Sequence, residues 1–292
     1  MTVTVAPVAV DQVGAETGPA APTTGSRAGT GSKILAWLIL LAGVTYFFTP
    51  LIATALRSFE AVRDTFSFEA YRRILTDPQF VQTFGESVVN AVATIVLSLL
   101  VIVPTAYWVT LRVPKLRSVI EFITLLPFVI PAVVLVFGLI RMYSRPPVAL
   151  MSSPGATRVI LICAYTALSF PYMYRSVDNG LRSINVRTLT EAAQSLGAKW
   201  RTIVFRIIFP NLRVALLSGA LLTFAIVIGE LTVALYLGQH TFGPYMADLV
   251  RNKVSEPAAL TVLSFGLTWG AMGIISYLTR RQVGSRRKVK GR

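Results

Sequence analysis

Two polar interruptions in a mostly apolar chain hold the residue types that could do chemistry. The first is Glu191-Ala192-Ala193-Gln194-Ser195-Leu196-Gly197, followed at a distance by Ile207-Ile208-Phe209-Pro210. The second is Glu230, a lone acid among Ile226, Val227, Ile228, Gly229 and Leu231. The first stretch is too hydrophilic to cross a bilayer and too rich in helix formers for a slack loop. Lys199 lies within it, and Arg201 and Arg206 follow. Its chemistry is that of a docking surface. Thr190 is the expected N-cap, with Glu191 in the first turn, where an acid complements the helix dipole. Ala192 and Ala193 predict a smooth face that lets another surface approach closely. Gly197 can take a backbone conformation closed to other residues and predicts a break between two short helices. Leu196, Trp200, Ile203, Val204, Ile207 and Ile208 recur at helical spacing, an apolar face for a partner. Phe209, placed before Pro210, is pushed away from the α region and predicts the end of the segment.

An ionisable group such as Glu230 is expensive inside an apolar run, so it faces the bundle interior, a water-filled cavity or a cationic partner. Two readings stay open. Glu230 lines a translocation path and attracts a cation, or it pairs structurally with a basic or hydroxyl group on another helix. Gly229 beside it permits close helix approach under either reading. No nucleophile–base pair is recognisable, so no catalytic residue is expected. His240 is the only histidine and Cys163 the only cysteine, which leaves no internal disulfide and no histidine or cysteine metal cluster. Gly29-Thr30-Gly31-Ser32-Lys33 fails the phosphate-loop pattern, so no nucleotide site is expected and no cofactor is called for.

The elements around these residues are membrane helices. Of 292 residues, 54% are hydrophobic and 14% charged, against roughly a quarter charged in soluble domains. Apolar runs long enough to cross a bilayer predict an all-α, polytopic transmembrane bundle of six spans. These are Ile34–Leu56, interrupted by Pro50, then about Ser87–Leu111 and about Val119–Ile140, which contains Pro127 and Pro131. The last three are roughly Val159–Tyr174, Val214–Leu237 and Ala258–Thr279. Residues 1–31 read as a disordered tail, 32–280 as one membrane domain and 281–292 as a basic tail. The outer segment from Arg57 to Glu86 holds Phe66, Phe68, Tyr71, Ile74 and Leu75 at the spacing of a short amphipathic helix. The loop over 175–213 is the longest inner connection. A net charge of +15 does not point to nucleic acid, because no basic patch is interleaved with aromatic residues. Most of the basic residues instead fall in the tails and alternate loops, which puts both termini in the cytoplasm of a multi-pass inner-membrane protein. The C-terminal run from Arg280 to Arg292 then meets anionic membrane lipid.

Glu191, Ala192, Ala193, Gly197, Ile207 and Pro210 occupy the positions of E-A-A-x-x-x-G-x9-I-x-[hydrophobic]-P, with Phe209 where leucine is usual. In this the chain resembles the permease subunits of ATP-binding-cassette importers. The likeness runs from Tyr71-Arg72-Arg73 through the sixth expected span and looks most like the polyamine, iron(III) and related-anion branch. The resemblance implies a type I importer permease fold. It also implies a loop that seats in a groove of a separate ATPase, so that closure of two ATPase subunits on ATP drives the spans between inward- and outward-facing states. The implied partners are those ATPase subunits, a second permease or another copy of this one, and an external substrate-binding protein. The expected cargo leans to a polyamine through Glu230, with iron(III) or a small anion as the alternative. A self-contained secondary transporter is the rival from another class, but one intramembrane acid and no evident inverted repeat give it little to couple with. A lipid-binding scaffold or sensor is a further rival.

Overall fold

A computed structural model of the chain describes residues 30–60, 66–146, 149–253, 255–270 and 273. The expected N-terminal tail lies outside these residues except for its last two, and the basic tail over 281–292 lies outside them entirely. The chain divides into two units, Met1–Pro50 and Leu51–Arg292. The described part of the first is helix throughout, the beginning of α1 (Thr30–Ser58), and Thr49 Oγ1 donates to the Thr45 carbonyl at 2.6 Å within it. Lys33–Ser58 is long and apolar enough to span a membrane.

In the second unit, the end of α1 leads to α2 (Glu69–Thr76) and α3 (Pro78–Leu111). Then come α4 (Arg117–Val129), α5 (Ala132–Tyr143), α6 (Pro154–Ser183) and α7 (Val186–Ser195). A short α8 (Trp200–Thr202) runs into a π-helical turn (Ile203–Ile208) and α9 (Phe209–Asn211). After these come α10 (Arg213–Gly229), α11 (Thr232–Tyr236), α12 (Phe242–Asn252) and a last helical stretch over residues 256–270. No strand occurs among the described residues. The expected amphipathic helix before α3 is present as α2, which buries Ala70 and Ile74 and exposes Leu75. α3 starts where its sequence says it should. Asp77 accepts from the Gln79 N–H at 2.9 Å and Pro78 fills the first turn, where its missing N–H costs nothing.

α6 is the hub, packed against α3, α10 and α4. Lipid tails are as apolar as leucine, so membrane helices associate through close packing and polar contacts rather than hydrophobic exclusion. α3 supplies a buried polar stripe of Thr83, Ser87, Asn90, Thr94 and Ser98 at helical spacing. From it Ser98 meets Ser169 of α6 at 2.9 Å, Asn90 accepts from Arg158 Nε at 2.9 Å, and Ser87 accepts from the Phe242 N–H at 2.9 Å. Arg158 also pairs with Glu86 at 2.7 Å. Where α6 meets α10 the backbones nearly touch: a Cβ on Gly180 would lie 2.5 Å from that of Ala215, and one on Gly219 would lie 2.7 Å from the Met173 sulfur.

Two polar contacts mark the opposite ends of α3. Tyr245 of α12 donates to Asp77 at 2.8 Å, and the Tyr107 hydroxyl is 3.4 Å from that of Thr190 in α7. Along an α-helix those two α3 positions are about 45 Å apart, the thickness of a bilayer with its headgroups. α7 and α12 therefore belong to opposite sides of the membrane. Burial, and then the Asp77 carboxylate, hold the Tyr245 phenol protonated well above its ordinary range.

Several expected spans are corrected. Three described helices are long and apolar enough to cross a membrane, or five if two bent pairs each count as one span. The third expected span is broken: α4 and α5 meet at 97°. Ile130, placed before Pro131, is extended (φ −87°, ψ 115°), because the proline ring excludes the α region there, while Pro127 sits inside α4 without breaking it. The fifth is broken at Glu230, between α10 and α11. The fourth instead runs past its expected end, because α6 continues through residues expected to be loop. The sixth, over 258–279, is described only in part.

The α6–α10 contact yields a prediction. Gly180→Val is expected to cost about 1–3 kcal/mol through overpacking and to lower the thermal midpoint in detergent. Gly266→Ala, with nothing within 4 Å of the added Cβ, should leave it in place. Equal midpoints would contradict the close packing.

Candidate functional site

α7 begins at a sharp reversal from α6. Asn185 takes a left-handed conformation (φ 46°) that its short polar side chain tolerates, and Val186 opens the helix. Thr190 is therefore mid-helix, not the N-cap expected from sequence: its hydroxyl donates to the Val186 carbonyl at 2.7 Å. The earlier start sets the helical phase. Val186, Thr190 and Ala193 share the buried face, which packs mainly on the π-helical turn over Ile203–Ile208 and meets α3 at Tyr107, with Ala193 only 5% exposed. Ala192 and Glu191 face outward, so the two motif alanines do different work: Ala193 seats the helix and Ala192 keeps its outer surface low. Glu191 accepts from Arg187 one turn earlier at 2.9 Å, an exposed pair. Leu196 is 89% exposed, a large apolar side chain at the helix tip.

Gly197 ends the helix as its sequence predicts. Its φ is +75°, its N–H donates to the Gln194 carbonyl, and the Ala198 N–H donates to the Ala193 carbonyl at 3.0 Å. This pair of bonds is the Schellman arrangement, which closes a helix through a left-handed residue. Nothing lies within 4 Å of an added Cβ, so glycine is needed there for its conformation alone.

The rest of the motif is not on this surface. Ile207 is partly buried on the core formed by Ile203 and Ile208, so the expected apolar face is split: Ile203 and Ile208 turn inward, Leu196 and Trp200 outward. Pro210 does not end the segment. Phe209 is helical (φ −54°, ψ −45°), and the 72° bend falls later, between Asn211 and Arg213. A helical proline normally clashes with the carbonyl four residues back. Here the wider π-helical turn precedes it, Asn211 Nδ2 donates to the Ile207 carbonyl at 2.7 Å, and Arg213 Nε donates to that of Pro210 at 2.8 Å.

Glu230 sits at the break after α10, half-buried and extended (φ −78°, ψ 122°). Its carboxylate accepts from the Val233 N–H at 2.9 and 3.1 Å and from the Ala234 N–H at 3.3 Å. It caps the first turn of α11, where free N–H groups need acceptors. Among the described residues it has no ion pair. Gly229 has no neighbour within 4 Å of an added Cβ, so it is not the close-packing glycine expected. Gly243 is: its Cβ would lie 2.3 Å from the Glu230 carbonyl oxygen, so the first turn of α12 presses on the break.

Sequence reading missed a second polar group beside α7. Asp178 of α6 is paired with Arg117 of α4 and with Arg182 Nε at 3.1 Å, and Arg117 Nε reaches Glu121 at 2.9 Å. The two i,i+4 spacings, Arg117/Glu121 and Asp178/Arg182, are a legible signal of such pairs on a helix. This network clamps α4 to the extended end of α6 from which α7 turns. No cluster that could hold a metal ion occurs among the described residues.

A helical membrane bundle with a short, half-exposed helix at one end defines a class, a polytopic membrane subunit. Its fold matches a crystal structure of a bacterial ABC transporter involved in the import of the acidic polysaccharide alginate, with TM-score 0.61 and 18% identity over 86% of this chain and 98% of that one. Residues 102–289 match the family described as binding-protein-dependent transport system inner membrane component, and the chain belongs to it. It is thus a multi-pass inner-membrane permease subunit of an ABC importer, without enzymatic activity of its own, working with ATPase subunits, another permease and a substrate-binding protein. The molybdenum transport permease ModB of Mycobacterium tuberculosis (strain ATCC 25618 / H37Rv) is 26% identical over 87% of this chain and 95% of its own. The putrescine transport permease PotI of Escherichia coli (strain K12) is 27% identical over 82% and 88%. The probable sulfate transport permease cysT of Chlorokybus atmophyticus is 31% identical over 64% and 67%.

Gly197→Ala is predicted to destabilise the end of α7 by about 1 kcal/mol through strain alone. Hydrogen exchange in the α7–α8 segment should quicken while exchange in α3 stays unchanged; unaltered exchange in α7 would contradict the left-handed cap.

Proposed function

We propose that residues 32–280 form the permease domain, that 175–213 is its coupling loop, and that both termini lie in the cytoplasm. In this reading Glu191, Ala192, Leu196 and Gly197 meet the ATPase directly. Ala193, Ile207 and Pro210 act from behind, seating α7 and shaping the bent segment into α10. The observation that carries the reading is the exposure of Glu191 and Leu196 on a helix whose opposite face is buried, mainly on the π-helical turn over Ile203–Ile208.

For cargo, likeness to molybdenum and sulfate permeases favours a small oxyanion over a polyamine. The lean to a polyamine rested on Glu230 as a free anionic attractor in the path. Its carboxylate is instead engaged by backbone N–H groups at the break. Likeness to the putrescine permease keeps the polyamine as the second reading.

Two predictions follow from this assignment. The wild-type chain is expected to bring down an ATPase subunit from native membranes, and a Glu191→Ala, Gly197→Asp variant to lose most of it while keeping its yield in the membrane. Undiminished recovery with the variant would remove α7 as the docking element. In cells deleted for the chain, its return should restore uptake of labelled molybdate or sulfate rather than putrescine. Glu230→Gln, which still offers an acceptor to α11, should retain most of that uptake, whereas Glu230→Ala loses the cap, worth about 1 kcal/mol. Putrescine uptake abolished by Glu230→Gln would reinstate the polyamine reading.

A further inference from the structure

A groove of about 310 Å³ lies between α3 and the segment over residues 200–209. Its walls are apolar, including Val96, Leu100 and Val103 from α3 and Val204 and Phe205 from the opposite side. At Pro104, Tyr107 and Trp200 it passes into a second, wider cleft of about 890 Å³, whose lining adds Trp108, Arg112 and Arg187. Arg187 is neutralised by Glu191, which shares that cleft. Arg112, at the C-terminal end of α3, forms no ion pair among the described residues. The composite cavity therefore changes from apolar to cationic along the axis of a membrane-spanning helix, with tyrosine and tryptophan at the junction, where such rings anchor at a membrane interface.

That order is the order of a phospholipid. We propose that this cavity is a binding site for an anionic glycerophospholipid, with one acyl chain along Val96 and Leu100 and the headgroup phosphate at Arg112. Three observations favour this occupant over a protein helix. The apolar part lies on the stretch of α3 that passes through the bilayer. The polar part begins where α3 ends, at the level of the headgroups. The exposed Lys199, Arg201 and Arg206 beside the groove add positive charge and form no ion pairs among the described residues, which favours an anionic lipid over a zwitterionic one. Phe205 is also exposed, so the segment offers basic and aromatic side chains together, the composition of a helix lying in the interface. The site does not depend on the cargo assignment, but its headgroup end adjoins α7, since Arg187, Thr190 and Glu191 line the wide cleft.

Trp200 lies on the wall of the groove and serves as the reporter. The full chain with Trp37, Trp108 and Trp269 replaced by Phe is placed in phosphatidylcholine vesicles holding a minor share of phosphatidylglycerol, with bromine on the acyl chains of one lipid or the other. Brominated phosphatidylglycerol is expected to quench Trp200 as if enriched about fivefold at the site, the gain one basic residue gives near an anionic headgroup. Arg112→Gln should abolish the enrichment. Val96→Phe, at an exposed position that the core does not need, should reduce quenching by filling the groove. Equal quenching by both lipids at equal share, or a preference that survives Arg112→Gln, overturns the proposal. Absence of quenching by either lipid overturns it as well, because it would mean that protein, such as a second copy of the chain, covers the groove.

Discussion

A peptide group inside a bilayer has no water to turn to, and this constraint organises the molecule. Wherever a membrane helix is interrupted, its freed N–H and carbonyl groups must be satisfied by protein. The interruption at Glu230 is possible because the side chain next to the break turns back onto the Val233 and Ala234 N–H groups. At Pro210 a π-helical turn precedes the proline, and the Asn211 amide and Arg213 guanidinium donate to the Ile207 and Pro210 carbonyls. At Pro131 the chain turns by 97°, and the Pro131 carbonyl accepts from the Val134 and Leu135 N–H groups as the new helix starts. The three breaks look alike as departures from straight helix, yet each is resolved by different local chemistry.

The same reasoning explains why α7 can be both exposed and rigid. A helix of this length is marginal alone in water. α7 is held by a left-handed residue at each end, Asn185 and Gly197, and by a narrow buried face pressed mainly on the π-helical turn over Ile203–Ile208. The ion pairs joining Arg117, Glu121, Asp178 and Arg182 tie α4 to the C-terminal part of α6, from which the chain reaches Asn185. Apart from Gly197, the outer face is then free to be shaped for a partner, since its other residues lie outside the buried face that seats the helix.

Much of this was legible in the sequence, and the misses have definite causes. The apolar runs that became α1, α3 and α6 could be read directly, as could the stop at Gly197. The start of α7 could not, because Thr190 has the chemistry of an N-cap whether or not it occupies one. Misplacing the start by a turn kept both alanines together on one face. Pro127 and Pro131 are indistinguishable by composition, and only the second ends a helix. Glu230 was recognised as costly, but its partners are backbone N–H groups exposed by a break that no proline or polar run announces. Gly243 had no sequence signal either, since a close approach is a property of two segments at once.

The division of the docking motif into an outer and an inner part bears on how force could pass through it. In the proposed coupling, a displacement of the ATPase acts on Glu191, Ala192, Leu196 and Gly197. It reaches the spans only if α7 moves as one body with what lies beneath it. Val186 and Ala193 pack into the core that holds Tyr107 of α3 and Met173 and Val177 of α6, while Ile203, Ile208 and Leu212 tie the following segment to the same core. Interiors packed at this density transmit displacement rather than absorb it. The bend between Asn211 and Arg213 then converts movement of the segment over 200–211 into tilt of α10, whose far end carries the Glu230 break and its contact with α12 at Gly243. A motif that spaces an exposed acid and glycine from a half-buried isoleucine and proline is, on this account, a lever. Its first half meets the motor, and its second half is the hinge that turns the span.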